Sequence, residues 1–201
     1  LTEALLETGL DIGSVVINKN KKDTNVVLGE DCETIYGSDF IEDELCSLRF
    51  RISPLSFYQV NPEGTELLYK RARDYAGLTG SEVLLDLYCG AGTIGMTMAE
   101  KAKQVIGVEI IPQAIENAKE NARTNGVDNA RFICSDAGQA AQLLVREGFR
   151  PTAVVLDPAR KGCDEKLLQC MVSMAPKRIV YVSCDPATLA RDIALFAPLG
   201  F

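Results

Sequence analysis

The chain has 201 residues, of which 47% are hydrophobic and 24% are charged, and its net charge is −7 at pH 7. This composition is typical of an ordinary globular protein of about one large domain, and the negative charge does not suggest a nucleic-acid binder. The sequence contains no histidine, which excludes Ser-His-Asp and Cys-His hydrolases and histidine-ligated zinc enzymes within this chain.

No apolar run reaches the roughly 18–20 residues of a membrane span, and no basic-then-apolar leader is present. The seven cysteines are scattered and never form a C-x-x-C pair, which argues against a disulfide framework or a complete metal site. We therefore predict a cytoplasmic protein that holds no metal. The chain starts at Leu1 and ends at Phe201 directly after "APLG", which we interpret as a fragment of a longer protein.

The first 60 residues predict the end of a helix followed by an antiparallel β region. "LTEALLETG" (1–9) is typical of a helix, "GSVVINKNKKDTNVVLG" (13–29) of a hairpin with a polar turn, and "LCSLRFRIS" (45–53) of a further strand. We predict that residues 1–60 are part of an antiparallel unit and that residues 61–201 form a second domain. A helix from Pro62 to Tyr75 leads into that domain.

From residue 82 onward, short apolar runs alternate with helical stretches. The runs are continuous, which is typical of parallel strands buried on both faces. Their alternation with helices predicts an α/β fold with a doubly wound, mostly parallel, Rossmann-like sheet. The predicted strands are residues 82–88, 104–110, 130–136, 152–158 and 178–184, and the predicted helices are Thr93–Ala102, Pro112–Thr124, Ala137–Glu147, Glu165–Met174 and Pro186–Phe196.

The first of these strands leads into Gly90-Ala91-Gly92-Thr93-Ile94-Gly95, a G-x-G-x-x-G turn that opens a helix. Such a turn lets the backbone approach a ligand closely and offers free N–H groups. It serves nicotinamide and flavin dinucleotides as readily as other adenosyl ligands. Glu109, at the end of the second strand, suits an acceptor for ribose hydroxyls in either case.

Two aspartates favour S-adenosylmethionine over NAD as that ligand. Asp86 lies inside the first strand, four residues before Gly90, where a carboxylate would attract an ammonium group but repel a pyrophosphate. Asp136, which ends the third strand, is placed to accept from an adenine amino group. The alternative is that both aspartates only cap turns or helices.

Cys184 ends the fifth predicted strand and directly precedes a helix. Ligands of open α/β sheets bind at the carboxyl ends of the strands, so Cys184 and Asp157 should converge on the glycine turn. Asp185 suits an N-cap and Pro186 the first helical position, and a helix dipole there would favour a thiolate. A thiolate can add to C6 of a pyrimidine without a histidine, after which C5 can take a methyl group from a sulfonium and a base removes the C5 proton. The alternative is a small buried hydrophobic residue at a strand end.

Five stretches of the sequence resemble the RNA (uracil-5-)-methyltransferase family, which makes 5-methyluridine in ribosomal or transfer RNA. They are "SFYQVNPEG" (56–64), "LDLYCGAGTIG" (85–95), "GVEI" (107–110), "DPARKG" (157–162) and "YVSCDPATLARD" (181–192). The last stretch is specific to the family, whereas the glycine turn is not.

The resemblance implies that Cys184 is the nucleophile at uracil C6 and that Asp157 is a base or substrate contact beside the target uracil. It implies S-adenosylmethionine as the cofactor. The residues that it implies as cofactor contacts are Gln59, Tyr88, Gly90, Thr93, Glu109, Asp136 and Asp157. Only the resemblance connects Gln59 with the site, and Thr93 stands where many relatives have asparagine.

The same resemblance implies parts that this sequence does not show. These are a general-base glutamate and the final strands, expected beyond residue 201, an amino-terminal RNA-binding β-barrel and the iron–sulfur cysteines of some members. We therefore expect an RNA partner, with 23S ribosomal RNA as the first candidate and transfer RNA as the second. We also expect the isolated fragment to be inactive.

Three other functions stay open at this point. An RNA cytosine-5 methyltransferase would commonly carry a second cysteine where this chain has Ala159, which argues against it. A non-catalytic module would hold the cofactor and RNA without turnover. An NAD-dependent oxidoreductase would rest on the glycine turn alone and would explain neither Cys184 nor "DPAR".

Overall fold

A computed structural model describes residues 2–21, 23, 27–29 and 31–200. The described part contains a five-stranded parallel sheet and two antiparallel two-stranded sheets. The strands are β1 (Ser14–Lys19), β2 (Asp31–Gly37), β3 (Ile41–Leu45), β4 (Leu48–Ile52), β5 (Val83–Leu87), β6 (Gln104–Glu109), β7 (Ala130–Cys134), β8 (Ala153–Leu156) and β9 (Arg178–Tyr181). The α-helices are α1 (Thr2–Leu6), α2 (Pro62–Ala76), α3 (Thr93–Met98), α4 (Pro112–Thr124), α5 (Ala137–Arg146), α6 (Glu165–Ser173) and α7 (Pro186–Phe196). None of the described helices is both long enough and apolar enough to cross a lipid bilayer.

The parallel sheet has the strand order β7-β6-β5-β8-β9. The chain enters it at the central strand β5, runs outward through β6 to β7, and returns to β8 on the other side of β5. The direction of winding therefore reverses between β5 and β8, which is where open α/β sheets bind ligands. This arrangement confirms the predicted doubly wound α/β fold.

The central strand β5 is buried on both faces, as its continuous apolar sequence predicts. Leu84 packs with residues of α2, α3 and the β3–β4 hairpin, whereas Leu85 packs with residues of α5 and α6 on the opposite face. Neither side chain exposes any surface. Because successive side chains of a strand point to opposite faces, such a strand requires a covering layer on each side.

The strands end earlier than the sequence predicts. β8 ends at Leu156 and β9 at Tyr181, so Asp157 and Cys184 lie in the loops that follow these strands. The Val182 N–H still donates to the Leu156 carbonyl oxygen, 2.8 Å away. The helices at 112–124 and 186–196 have the predicted bounds, and the helix predicted at 93–102 ends in a 3-10 turn, Ala99–Lys101.

The hairpin predicted over residues 13–29 is wrong in its second strand. β1 pairs antiparallel with β2, which lies beyond that range, and residues 27–29 form no strand. Residues 22, 24–26 and 30 lie outside the described residues. β2 contains Thr34, Ile35 and Tyr36, residue types that pack well on a pleated surface and favour strands.

The strand predicted over residues 45–53 is interrupted by a turn. Cys46 and Ser47 have φ angles of 53° and 62° and form the two-residue connection between β3 and β4, as in type I′ hairpin turns. The remainder alternates as predicted, with Phe50 and Ile52 buried. Both side chains belong to the core that contains Leu84, so the hairpin packs onto the predicted second domain. The boundary between the two domains at residue 60 stays a prediction.

Candidate active site at the carboxyl edge of the sheet

Six of the predicted site residues lie at one edge of the parallel sheet, where its strands end. Tyr88 and Asp157 follow β5 and β8, the two strands between which the winding reverses. Because parallel strands all end at the same edge, the fold gathers residues from distant parts of the sequence there. From β5 to β9 these residues are Tyr88, Gly90, Glu109, Asp136, Asp157 and Cys184.

The glycine turn after β5 presents an open backbone surface at Gly90. Tyr88 and Gly90 have φ angles of 63° and 55°, a conformation that costs glycine nothing and strains a tyrosine. A Cβ atom on Gly90 would meet only the carbonyl oxygen of Phe57, at 3.9 Å. The turn is therefore accessible to a ligand, and its neighbour is the segment that carries Gln59.

Glu109 binds the glycine turn from the adjacent strand. One of its carboxylate oxygens accepts from the Gly90 N–H at 3.1 Å, and the other accepts from the N–H groups of Ile110 and Ile111 at 2.8 and 3.0 Å. A carboxylate offers about four acceptor positions and these bonds use three of them, so Glu109 keeps about one position for a ribose hydroxyl. It fixes the turn and stays available for its predicted ligand contact.

Asp86 lies beneath the glycine turn rather than at its surface. Its side chain is buried, and Oδ2 accepts from the Gly95 N–H in the first turn of α3 at 2.8 Å. Oδ1 is buried and has no hydrogen-bond partner among the described residues. Burial raises the pKa of Asp86 to about 8, with the Gly95 bond acting against it and the charges of Asp157 and Glu109 adding to it. The bond from Gly95 means that Asp86 caps the start of α3, which is the alternative role considered in the sequence analysis. Contact of Asp86 with an ammonium group stays a prediction.

Asp136 and Thr93 both make hydrogen bonds within the protein. Asp136 is the N-cap of α5 and accepts from the Gln139 N–H at 3.0 Å, so the capping alternative is observed here too. The Thr93 hydroxyl shares a hydrogen bond of 2.9 Å with the hydroxyl of Tyr69 on α2. Burial raises the pKa of Tyr69 to about 12, which keeps this hydroxyl protonated. The cofactor contacts expected of Asp136 and Thr93 stay predictions.

The loop that carries Gln59 is anchored on both sides. Asn117 of α4 donates to the hydroxyls of Ser53 and Ser56 at 2.9 and 3.1 Å, at the start of the loop. At its end, Asn61 caps α2 by accepting from the Gly64 N–H at 3.0 Å. With the Phe57 carbonyl beside Gly90, the structure brings this loop to the glycine turn, a proximity that the sequence alone did not predict.

Asp157 adds a third carboxyl group where the winding of the sheet reverses. It is half-buried, and burial raises its pKa to about 6. Asp157 follows β8, which pairs with the strand that contains Asp86, and its charge raises the pKa values of Asp86 and Tyr69. Three carboxyl groups so close together favour a cationic ligand over a pyrophosphate, which they would repel.

Cys184 is exposed immediately before the N-cap of α7. Asp185 caps this helix by accepting from the Thr188 N–H at 2.9 Å, and Pro186 is its first residue, as predicted. The Ser183 hydroxyl donates to the Asp185 carbonyl at 3.0 Å and holds the turn. The alternative that Cys184 is a buried hydrophobic residue is therefore wrong, because its side chain is open to solvent.

Two groups of residues next to the site were not predicted from the sequence. Asn121 on α4 accepts from the Arg51 N–H at 2.6 Å and donates to the carbonyls of Arg51 and Ala91, both at 3.1 Å. It thus joins β4 to the glycine turn. Asparagines at 117, 121 and 125 recur every four residues along one side of α4, and this spacing is the signal that the sequence offered.

The second group centres on Asp192, which is completely buried on α7. It belongs to the end of "YVSCDPATLARD", to which the sequence assigned no role of its own. Within the described residues, no group of three or more cysteine or acidic side chains is arranged to hold a metal ion.

The fold is similar to those of solved methyltransferases. An S-adenosylmethionine-dependent methyltransferase from Agrobacterium tumefaciens matches with a TM-score of 0.62 at 17% identity, over 90% of this chain and 61% of that chain. A likeness at this identity concerns the fold alone. The chain has the class I methyltransferase fold, with a glycine turn and a group of carboxyl groups at the carboxyl edge of its sheet.

Closer relatives narrow this class to a family. The tRNA (uracil-54, C5)-methyltransferase of Pyrococcus abyssi, solved in complex with S-adenosyl-L-homocysteine, matches with a TM-score of 0.76 at 30% identity, over 94% of this chain and 45% of that chain. A Clostridium tetani protein named as an RNA methyltransferase is 49% identical over 201 residues, which are 100% of this chain and 44% of the relative. The model of the family described as tRNA (Uracil-5-)-methyltransferase matches residues 4–197. The chain belongs to this family of RNA uracil-5-methyltransferases, and it spans less than half the length of these relatives.

Proposed function

We propose that the protein methylates C5 of a uracil base in RNA, with S-adenosylmethionine as the methyl donor and Cys184 as the nucleophile. The observation that carries this proposal is the exposure of Cys184 at the edge where the glycine turn and Asp157 also lie. Binding of the cofactor does not require an accessible thiol, whereas addition to C6 of a pyrimidine does.

The residues at this edge fit S-adenosylmethionine. The open surface at Gly90 admits an adenosyl ligand, and the carboxyl groups of Asp86, Glu109 and Asp157 suit the cationic groups of the cofactor. The bound cofactor supplies a methyl group carried on a positively charged sulfur. The residues proposed to hold it are Gln59, Tyr88, Gly90, Thr93, Glu109, Asp136 and Asp157.

The proposed role of Cys184 is to activate the uracil ring. Its thiolate forms a bond to C6, and the electrons of the C5=C6 double bond make C5 nucleophilic. After C5 has gained the methyl group, a base removes the remaining C5 proton, and the C6–S bond breaks to restore both the double bond and the thiolate. The target uridine must leave its base stack to reach the thiol.

Asp157 is proposed to contact the target base and is a candidate acceptor for the C5 proton. Its pKa of about 6 leaves the carboxylate largely ionised at pH 7. A base whose pKa lies near the working pH is effective, because it is both unprotonated and basic enough to take the proton.

The proposed substrate is 23S ribosomal RNA, with transfer RNA as the second candidate. Transfer RNA is the second candidate because the Pyrococcus abyssi relative, at 30% identity, is named as a tRNA methyltransferase. With a net charge of −7, this chain has little general attraction for phosphate, so we propose that other parts of the full-length protein contribute to RNA affinity. The cytoplasmic location stays a prediction.

The test uses the full-length protein and RNA in which 5-fluorouridine replaces uridine. C5 of 5-fluorouridine carries fluorine instead of hydrogen. After methyl transfer a base therefore has no C5 proton to remove, and the covalent adduct accumulates. We expect an adduct with the unchanged protein and with Cys32→Ala, whose cysteine is exposed on β2, and no adduct with Cys184→Ala. An adduct formed by Cys184→Ala would contradict the mechanism. Parallel reactions with 23S ribosomal RNA and transfer RNA, using tritiated S-adenosylmethionine, identify the substrate.

Further measurements separate the other functions. A cytosine-5 methyltransferase would yield 5-methylcytidine, which mass spectrometry of digested RNA distinguishes from 5-methyluridine. A non-catalytic module would bind S-adenosylhomocysteine and form no adduct. An oxidoreductase would bind NAD, which titration calorimetry detects as heat of binding. We expect heat of binding with S-adenosylhomocysteine and none with NAD.

A further inference from the structure

A buried hydrogen-bond network joins α7 to the loop between β8 and α6 (residues 157–164, the β8–α6 loop). At its centre is Asp192, which exposes no surface. Its Oδ2 accepts from the Tyr181 hydroxyl at 2.6 Å and from the Cys163 N–H at 2.9 Å, and its Oδ1 accepts from Nε of Arg191 at 2.8 Å. One side chain of α7 therefore binds both the end of β9 and the backbone of the β8–α6 loop.

Arg191 extends this network to backbone carbonyl groups of the same loop. Its guanidinium donates to the carbonyl oxygen of Lys161 at 2.8 Å and to that of Cys163 at 3.4 Å. The two neighbouring residues of α7 thus satisfy an N–H donor and two carbonyl acceptors of one loop.

Gly162 lets the loop lie directly against α7. Its φ angle is +72°, and a Cβ atom at this position would collide with the Asp192 carboxylate and the Thr188 methyl group. Burial raises the pKa of Asp192, but the bonds from Tyr181, Cys163 and Arg191 outweigh burial and lower it below its usual range. Asp192 therefore acts as a charged acceptor at neutral pH.

The network includes neither Asp157 nor Cys184 but joins the two segments that carry them. The β8–α6 loop begins with Asp157, and Cys184 directly precedes the N-cap of α7. Asp192 lies about 9 Å along the helix axis from Pro186, at 1.5 Å per residue. A shift of the loop relative to α7 would therefore change the position of Asp157 relative to Cys184.

We propose that Arg191 and Asp192 are positioning residues that fix the β8–α6 loop on α7 and thereby set Asp157 and Cys184 in one mutual arrangement. This inference rests on the proposed function. The glycine turn and Glu109 make no hydrogen bond to the network among the described contacts. Of the residues proposed to hold the cofactor, only Asp157 belongs to the β8–α6 loop, whereas adduct formation needs Asp157 and Cys184 in one arrangement. Binding of S-adenosylhomocysteine should therefore depend on the network less than adduct formation does.

The test measures two quantities in the full-length protein. These are the rate of adduct formation with 5-fluorouridine RNA at saturating RNA and cofactor, and the Kd for S-adenosylhomocysteine. For Asp192→Asn and Arg191→Lys we expect adduct rates lower by about 10–100-fold, the cost of a small misplacement of reacting groups. We expect the Kd to change by less than about threefold, which is well under 1 kcal/mol.

Arg191→Lys distinguishes positioning from a simple requirement for positive charge. Lysine keeps the charge but cannot direct separate N–H groups to the Asp192 carboxylate and the Lys161 carbonyl. It should therefore slow the adduct as much as Arg191→Ala does. Arg146→Lys is the matched control, because Arg146 is exposed in the last turn of α5, at the opposite edge of the sheet.

Three outcomes are decisive. Adduct rates within about twofold of the unchanged protein in folded variants would overturn the proposal, since twofold is only about 0.4 kcal/mol of barrier. A Kd that weakens by the same factor as the rate would also overturn it, because the network would then support the cofactor site as a whole. If Asp192→Asn does not fold, Tyr181→Phe and Arg191→Lys give the same comparison. Absence of any adduct with the unchanged protein would instead contradict the proposed function.

Discussion

The carboxyl group of Asp86 lies in surroundings that favour its uncharged form. It is buried in the central strand, and only one of its oxygens accepts a hydrogen bond, from Gly95. Two further carboxyl groups, those of Asp157 and Glu109, act on it across the carboxyl edge of the sheet. A negative charge at Asp86 is therefore costly unless a cation is bound nearby.

This raised pKa predicts how stability depends on pH in the absence of ligand. The pKa of Asp86 rises from 3.8 to about 8 on folding, so between these values the native chain holds a proton that the unfolded chain has released. The contribution of Asp86 to stability is therefore full below pH 4 and is lost as the pH rises toward 8. In Asp86→Asn, which keeps the acceptor for Gly95, that loss should be absent.

Urea unfolding of both proteins at pH 5 and pH 8 checks this expectation. The free energy of unfolding of Asp86→Asn relative to the unchanged protein should increase with pH, by at most about 1.4 kcal/mol per pH unit. The groups that titrate independently of Asp86 cancel in this difference. A difference that stays constant with pH would contradict the assigned protonation of Asp86.

At the scale of elements, α4 completes the hydrogen bonding of β4 with side chains. Asn125 accepts from the Arg49 N–H and donates to the Arg49 carbonyl, and Asn121 does the same at Arg51. The outer edge of β4 is thus paired with a helix instead of a further strand. Asn121 differs from Asn125 in that it is buried and also binds the Ala91 carbonyl of the glycine turn.

This difference predicts unequal effects for two otherwise similar substitutions. Asn121→Ala leaves buried groups of Arg51 and Ala91 without partners and should lower the free energy of unfolding by about 2–4 kcal/mol. Asn125→Ala loses two exposed bonds to Arg49 and a partly buried one to the Asn121 carbonyl, and it should cost less, about 1 kcal/mol. Only Asn121→Ala should also weaken the binding of S-adenosylhomocysteine.

Urea unfolding and calorimetry of the two variants provide the measurements. Asn125→Ala removes the same kind of side chain, at the C-cap directly after α4, so it controls for the loss of an asparagine that binds β4. Equal losses of binding in both variants would show that α4 does not act on the glycine turn through Asn121.

At the scale of the whole molecule, the parallel sheet is enclosed by two layers. Helices α2, α3 and α4 contribute to the core on one face, and α5, α6 and α7 contribute to the core on the other. Both layers leave the carboxyl edge of the sheet accessible, as the exposed Cys184 and Asp136 indicate.

Two adjacent residues of β5 test this enclosure. Leu84 and Leu85 are both fully buried, on opposite faces, so Leu84→Ala and Leu85→Ala should each lower the free energy of unfolding by about 2–5 kcal/mol. In the hairpin strand β4, by contrast, Phe50→Ala should be severe and Arg49→Ala nearly neutral, because only one face of that strand is buried. A mild effect of either leucine substitution in urea unfolding would show that one covering layer is incomplete.

Much of the fold could be predicted because its signals are local. Continuous apolar runs predicted strands buried on both faces, and Asp185-Pro186 predicted the start of α7 at the correct residue. The N-terminal hairpins could not be predicted in detail. Which strand pairs with β1 depends on contacts between distant residues, and the turn at Cys46 and Ser47 interrupts a sequence that otherwise alternates like one strand.

The places of the candidate site residues in the fold could be predicted in part, for the same reason. The residues that end strands, such as Glu109 and Asp157, follow from the pattern of elements, because all parallel strands end at one edge. The approach of the Gln59 loop to Gly90 and the role of Asn121 depend on how α4 packs on β4, which no local pattern specifies.

By itself, the sequence determined the alternation of strands and helices, the glycine turn and the set of candidate site residues. These features depend on periodicity and on residue type, both of which are properties of short segments. Only the tertiary structure decided which polar groups are buried and what they bind. It made Asp86 a buried carboxyl under the glycine turn, left Cys184 exposed, and joined Arg191 and Asp192 to the loop of Asp157. Burial and hydrogen bonding between distant segments arise only when the layers pack together, and these contacts set the chemistry of the site.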